Sequence, residues 1–507
     1  MKMKSSEKKQ VLLEIKQKTN NCLNSRKHAN DLIDIISKVQ DDEESIVLAS
    51  IRSVHKLFSH YLEVSEMCME QTASEELSKE DKYKLWLRDR YKDAVESLIE
   101  MLLHLNTSVQ ELALSVLMKL VTQESKHPLM GKDVKGPFPL NLFKNMLKTL
   151  LSSEVNNEAL LNRFQEYYEF DDIRYYTMKH VLSECQQKPK QDIAEIWLGN
   201  VFAILENLLV PSVSKDQDLK KFLCQKSVEN HKITSVVEHR RLYSCSWVEF
   251  LKFKLTATLY RKVLVIIHEK VMPNIASPLV LSDFLIESYD IGGAISLLAL
   301  SGLFELIQKH NLHYPDFYEK LYVLFEPTIF HVKYKARFFY LADLFLSSTH
   351  LPSYLVAAFA KRLARISLVA PPSGLLVSVP FIFNLIIRHP NCKSLIHRPD
   401  MEMDFDDDPY DHLEKDPAKC KATESCLWEL KTLQHHYHPD IIKLSKKIYD
   451  GDIPDMVLDL SDKFELSAND LFEKECSKKL KTTAVTFEPP KGLLGTKDDK
   501  IGLCWTL

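Results

Sequence analysis

The sequence predicts an all-α protein: an elongated α-solenoid of HEAT/armadillo-like helix pairs with an extended C-terminal arm. Three observations predict it. Glycine is scarce, helical periodicity is dense with no strand-like alternation, and prolines recur at a nearly constant interval. Only 11 of 507 residues are glycine, against about 7% in an average chain. Hairpins, phosphate loops and barrels use glycine to reach positive φ. A chain this poor in it is expected to join helices through short proline and Asx turns. Its 45% hydrophobic and 27% charged residues are ordinary for a chain with a true core.

Val109, Leu112, Ala113, Val116, Leu117, Leu120 and Val121 recur at the three- and four-residue steps that place them on one helix face. Val95, Leu98, Ile99 and Leu102 form a similar stripe one helix earlier, as do Ile295, Leu298, Ala299, Gly302, Leu303 and Leu306 later. Prolines at 278, 315, 352 and 390 are spaced by 37, 37 and 38 residues. The first three are expected to open helices, where a missing N–H matters least. Second helices are predicted near 293–310, 334–348 and 374–389. Pro390 reads as ending a helix rather than opening one. A helix pair about every forty residues is the period of HEAT and armadillo arrays, in which each pair buries its apolar face on its neighbours.

The organisation predicted is an N-terminal HEAT-like region over 1–230, a repeat domain over 231–450 enclosing an acidic loop at 400–414, and a tail over 451–507. The tail carries Pro489, Pro490, Gly492 and Gly495, and reads as an arm lying over the helices or reaching a partner. The stretch from Ile366 to Ile387 has no charged residue. Pro371, Pro372, Gly374 and Pro380 split it into a helix end, a turn and a new helix, so a buried core layer is expected and membrane insertion is not.

Charge and cysteine usage narrow the class. The net charge is −4, from 66 basic and 70 acidic residues, without the basic excess of a dedicated nucleic-acid module. The basic groups Lys333, Lys335 and Arg337, and Lys361, Arg362 and Arg365, read as solvated helix faces whose aliphatic stems rest on the core. Ten cysteines are scattered with no C-x-x-C pair, which fits free thiols in a reducing compartment. The polar start leads into no long apolar run, so no signal peptide is expected.

Motifs for chemistry are missing. The sequence has no phosphate loop, no dinucleotide fingerprint and no G-x-S-x-G elbow. The expectation is a non-enzyme with no cofactor, metal or small-molecule substrate. The strongest charge feature is 400–414, with eight carboxylates in fifteen residues. Read as a calcium loop, it puts Asp404, Asp406 and Asp408 on ligand positions. Pro409 then stands where glycine is required and Lys415 where the bidentate glutamate belongs. The segment is either a solvated loop or a partner-binding one, with Asp404, Asp406, Asp407 and Asp408 supplying charge and Phe405 and Tyr410 as anchors. Trp428 is a further candidate, either as core or as an interface anchor. Cys420, Cys426, His435, His436 and His438 lack zinc spacing; on a helix the two thiols would point to different faces.

One order of motifs is more specific than its physics requires. The apolar run from Pro380 ends in Arg388-His389-Pro390 and is followed by the acidic segment with Asp408-Pro409-Tyr410. Next come Ser425-Cys-Leu-Trp428-Glu429-Leu and then His436-Tyr437-His438-Pro439. This order resembles the CBF/Mak21 (CCAAT-binding factor) family of nucleolar proteins over roughly residues 290–450. The size of the chain and the run Ala336-Arg-Phe-Phe339 are similar to one member of that family. The resemblance implies a nucleolar, nuclear scaffold for ribosome biogenesis, acting in the small-subunit processome in pre-18S rRNA processing and 40S precursor maturation. It implies a heterodimer with nucleolar protein fourteen, contacts with other processome proteins and, at most, peripheral pre-rRNA contact. Arg388, His389, Pro390, Glu429, Tyr437 and Pro439 are the residues that carry the motif. A karyopherin-like transport adaptor and a CCAAT-type transcription cofactor are the alternatives; the charge and the absence of a DNA-reading motif argue against the latter.

Overall fold

The computed structural model describes residues 5–68, 78–129, 138–190, 193–210, 219, 221–224, 231–314, 316–397, 408–449 and 456–478. Every regular element among these residues is helical, as the glycine content and the 3.6-residue periodicity require. The chain forms two compact units, Met1–His313 and Tyr314–Leu507.

The first unit runs through α1 (Ser5–Asn24), α2 (Asp31–Ser37), α3 (Glu44–Glu63), α4 (Lys79–Glu100), α5 (Thr107–Lys126), α6 (Leu140–Leu150) and α7 (Glu158–Phe164). It continues with α8 (Asp171–Gln187), α9 (Glu195–Asn207), α10 (His231–Thr234), α11 (Val236–Leu251), α12 (Ala257–Ile266), α13 (Ser282–Asp290) and α14 (Gly293–His310). Helices near in sequence stack: α1 on α3, α3 on α5, α8 on α11 and α13 on α14. The α5 stripe is buried at Val109, Ala113, Val116, Leu117, Leu120 and Val121. Caps fix several starts. Ser78 and Asp81 form a reciprocal capping box ahead of α4, and the Asn106 side chain accepts from Ser108 N at the head of α5.

Buried polar side chains tie loops to helices here. Asn200 of α9 is fully buried. Its Oδ1 accepts from Asn157 N and its Nδ2 donates to the Ser152 and Val155 carbonyls, each at 2.9 Å. Asp171 and Asp172, at the start of α8, accept backbone N–H groups from Lys221, Leu223 and Cys224, where α8's unsatisfied amides and positive dipole end favour carboxylates.

The second unit comprises α15 (Phe317–Val323), α16 (Lys335–Phe345), α17 (Ser353–Ser367), α18 (Pro372–Arg388), α19 (Trp428–Thr432), α20 (Pro439–Tyr449), α21 (Ser461–Phe464) and α22 (Ala468–Ser477). Its centre is α18, buried without a break from Ser373 to Ile386. The uncharged stretch 366–387 thus becomes the end of α17, a turn at Pro371-Pro372, and α18. No described helix is long and apolar enough to cross a membrane. Pro380 lies inside α18 and does not divide it. An aromatic layer joins α16 to this centre, with Phe338 centred 5.0 Å from Phe325 and Phe339 6.0 Å from Phe381.

The expected second helices appear as α14, α16 and α18, and Pro278 and Pro352 stand at helix starts. Pro315 lies outside the described residues. Pro390 follows the end of α18 but also opens a 3-10 turn, Pro390–Leu395, so it starts an element after all. The described part of the tail, 456–478, holds α21 and α22 and is seated on α16 and α18. Asn384 of α18 donates to the Leu458 carbonyl and accepts from its N–H, both at 2.8 Å. Lys335 Nζ donates to the Leu466 carbonyl.

Candidate protein-interaction site

Helix α17 carries Lys361, Arg362 and Arg365. Lys361 and Arg365 are one turn apart, so both reach the segment that leads into α19, while Arg362 points to an adjacent sector. These side chains were expected on a solvated face. Instead Lys361 is 0% exposed and Arg362 8%, because both sit between apolar neighbours and find oxygen partners inside the unit.

The Lys361 ammonium has three donors and three oxygen neighbours: Glu429 Oε1 at 2.7 Å, Asp408 Oδ2 at 2.8 Å and the Cys426 carbonyl at 2.7 Å. Asp408 also accepts from Trp428 Nε1 at 2.8 Å, from Ser425 Oγ and from Tyr410 N. Burial works to raise the Asp408 pKa, but the bonds from Lys361, Ser425 and Trp428 outweigh it and hold the carboxyl at about 2. Glu429 is fully buried; burial pushes its pKa up, opposed by Lys361. Arg362 donates from Nε to the Phe325 carbonyl at 2.9 Å and from Nη1 to the His412 carbonyl. Its guanidinium lies 4.4 Å from the Tyr322 ring centre, and Tyr322 shares a 2.8 Å hydroxyl contact with Tyr410.

The cluster therefore pins the chain at Asp408, where it emerges from the carboxylate-rich run. Asp404, Phe405, Asp406 and Asp407 lie outside the described residues. Asp408 and Tyr410, expected to face a partner, turn inward: Asp408 is spent on four donors and Tyr410 is 7% exposed. Trp428 sits at the rim with 37% of its surface exposed, Arg365 5.0 Å over its ring and Lys361 5.4 Å away. It is therefore neither fully core nor free. Leu413, on the segment pinned by Arg362, is exposed.

The remaining motif residues have local structural roles. Arg388, in the last turn of α18, makes a two-pronged pair with Asp343 at 2.7 and 3.1 Å. His389 is buried. Tyr437 is exposed and stacks on His436 at 4.3 Å, and Pro439 is the first residue of α20. Cys420 and Cys426 flank a 3-10 turn, Ala422–Glu424, and not a helix. Cys420 Sγ donates to the Pro417 carbonyl.

Sequence reasoning missed Lys361 as the centre of this site. A signal existed, because Lys361 lies four residues after Ala357 and three before Ala364, both buried. A lysine on an Ala-rich inner face needs an acid partner.

This architecture places the chain among helical-repeat proteins. Residues 296–445 match the CBF/Mak21 family, and residues 4–191 match the family described as nucleolar complex protein 4-like, TPR repeats. The chain is 47% identical over 492 residues to nucleolar complex protein 4 homolog B of Xenopus laevis, covering 94% of this chain and 93% of the relative. It is 42% identical over 499 residues to the Homo sapiens nucleolar complex protein 4 homolog, covering 96% of each. Against nucleolar complex protein 4 of Saccharomyces cerevisiae it is 31% identical over 507 residues, covering 90% of each. The chain belongs to the nucleolar complex protein 4 family.

Proposed function

We propose that this chain is a non-enzymatic scaffold of ribosome biogenesis in the nucleolus. It acts in the small-subunit processome, in pre-18S rRNA processing and 40S precursor maturation, by binding a partner protein. The partner is nucleolar protein fourteen, with other processome proteins around the pair and pre-rRNA touched at most peripherally. The setting is supported by relatives named as nucleolar complex proteins along almost the whole chain. Stacked helices that present side chains along a continuous surface suit partner segments better than small substrates.

The observation that carries the partner-binding reading is the Lys361 cluster. It locks Asp408, the last carboxylate of the continuous acidic run, beside Trp428, over which Arg365 lies. A preordered attachment lowers the ordering penalty when a basic partner segment binds.

The test is co-purification of the full chain with nucleolar protein fourteen at physiological salt. Asp400, Glu402, Asp404, Asp406 and Asp407 are replaced by serine, with Asp408 kept so that the fold is not disturbed. Loss of the partner with unchanged hydrogen exchange in α17 and α19 supports the reading, and undiminished recovery overturns the role of the acidic run. A parallel RNase treatment separates protein-held from RNA-held partners: nucleolar protein fourteen should stay, whereas U3 RNA and pre-18S rRNA should leave.

A further inference from the structure

In the first unit an open cleft of about 990 Å³ runs between the end of α11, the start of α12 and α13. Its floor is aromatic: Tyr260 and Phe284 lie with ring centres 5.2 Å apart, and the Tyr260 hydroxyl is tied to Ser288. Leu251 and Leu255 line one side. Val280 and Ile291 line the other with 54% and 57% of their surface in solvent. These two exposed apolar side chains share one concavity instead of being scattered singly over the surface.

The rims are charged with opposite sign. Lys252 and Lys254 flank the Leu251–Leu255 side, while Asp283 and Glu287, one helical turn apart on α13, flank the other. Lys252 is paired with Glu249; Lys254, Asp283 and Glu287 are exposed. The cleft is too open to enclose a small ligand, which is normally surrounded on most of its surface. Nor does it offer a strand edge for an added strand, because the described residues that line it belong to helices, a 3-10 turn and the short connections beside them, and none to a sheet. A helix brings its own backbone bonds satisfied and needs an apolar trough with polar edges, which is what the cleft provides.

We propose that this cleft is a docking groove for an amphipathic helix of a partner protein. That helix has an apolar stripe flanked by acidic residues on one edge and basic residues on the other. The acidic edge lies along Lys252 and Lys254, the basic edge along Asp283 and Glu287, and the stripe fills the trough between Tyr260, Phe284 and Ile291. Opposed rim charges set partner choice and orientation more than affinity. The groove is separate from the Lys361 cluster, and the assignment stands without the reading given for that cluster.

The test uses the full chain and three fluorescent helical peptides of about 20 residues sharing one Leu/Phe stripe. One peptide has a glutamate edge and a lysine edge, one has lysine on both edges, and one has glutamate on both. Fluorescence anisotropy should show the mixed-edge peptide binding best. Ile291→Asp and Val280→Asp, both at solvent-exposed positions that leave packing intact, should each weaken it about tenfold. Glu287→Lys should shift preference toward the glutamate-edged peptide, and Lys254→Glu toward the lysine-edged one. Equal binding of all three peptides, indifference to Ile291→Asp, or no saturable binding would overturn the proposal.

Discussion

Lys361 Nζ and Glu429 Oε1 meet 2.7 Å apart, with both side chains fully excluded from solvent. The pair joins α17 to α19, and through Asp408 it also fixes the chain that leaves the acidic run. Removing one member of a buried pair strands the other charge, which costs about 3–5 kcal/mol. Replacing both by apolar groups of similar volume removes the stranded charge. Glu429→Leu should cost less than this, since Lys361 keeps Asp408 and the Cys426 carbonyl, whereas Lys361→Met should lower the protection of α17 and α19 amides by that amount. The double variant should recover most of it. Hydrogen exchange on the full chain reads this locally. Additive losses in the double variant would mean that the two charges do not stabilise each other.

Asp408 gives a pH signature whose sign is fixed. Its folded carboxyl sits at about 2, below the roughly 3.9 of a free aspartate. The stabilisation, on the order of 2 kcal/mol, is therefore present above pH 4 and is lost as the pH falls toward 2. Glu429, raised by burial, runs the other way: its protonation in the fold relieves a penalty, so it favours the fold as the medium acidifies. Asp408→Asn should lower the urea midpoint at pH 5, and its difference from the parent chain should close by pH 2. A difference that persisted at pH 2 would assign the loss to the hydrogen bonds and not to the charge.

The helical class was legible because composition and periodicity are local signals. The α5 stripe, the break at Pro371-Pro372 and the helix starts at Pro278 and Pro352 all follow from residues within a turn or two of each other. The Lys361 cluster was not legible, since its acids come from segments far along the chain and nothing local pairs them with α17. Asp408 looked like one more carboxylate in an acidic run. Only the fold shows that it faces Lys361, Ser425 and Trp428. Tyr410 was misread for the same reason, because an aromatic flanked by Asp and Pro gives no hint of a hydroxyl partner as distant as Tyr322.

Two helical glycines separate packing from propensity. A Cβ built on Gly374 would lie 2.5 Å from Phe330 Cδ1, whereas one on Gly199 meets nothing within 4 Å. Gly374→Ala should destabilise the second unit by about 1–3 kcal/mol through overpacking. Gly199→Ala should stabilise α9 by about 0.5–1 kcal/mol, the ordinary helix-propensity gain. Thermal unfolding of the two variants should therefore move in opposite directions. A stabilised Gly374→Ala would mean that Phe330 swings aside freely and that α18 does not need the close approach.

Asn384 tests how the tail is held. Its side chain forms a closed pair of bonds with Leu458, one donated and one accepted, from a helix position that is otherwise wholly apolar and 1% exposed. Asn384→Leu fills similar space but leaves the Leu458 N–H and carbonyl without partners, a loss of about 1–3 kcal/mol for each buried group stranded. The tail can avoid that penalty by lifting away at Leu458, against its other attachments, which include the Lys335–Leu466 bond, the edge contact of Phe464 with Tyr340 and the buried side chains of Leu460 and Phe464. Limited proteolysis of the variant should cut within 456–466 well before any site in α18, while the parent chain resists there. Equal resistance in both chains would show that Phe464 and Lys335 hold the tail unaided, and that Asn384 contributes only to the interior of α18.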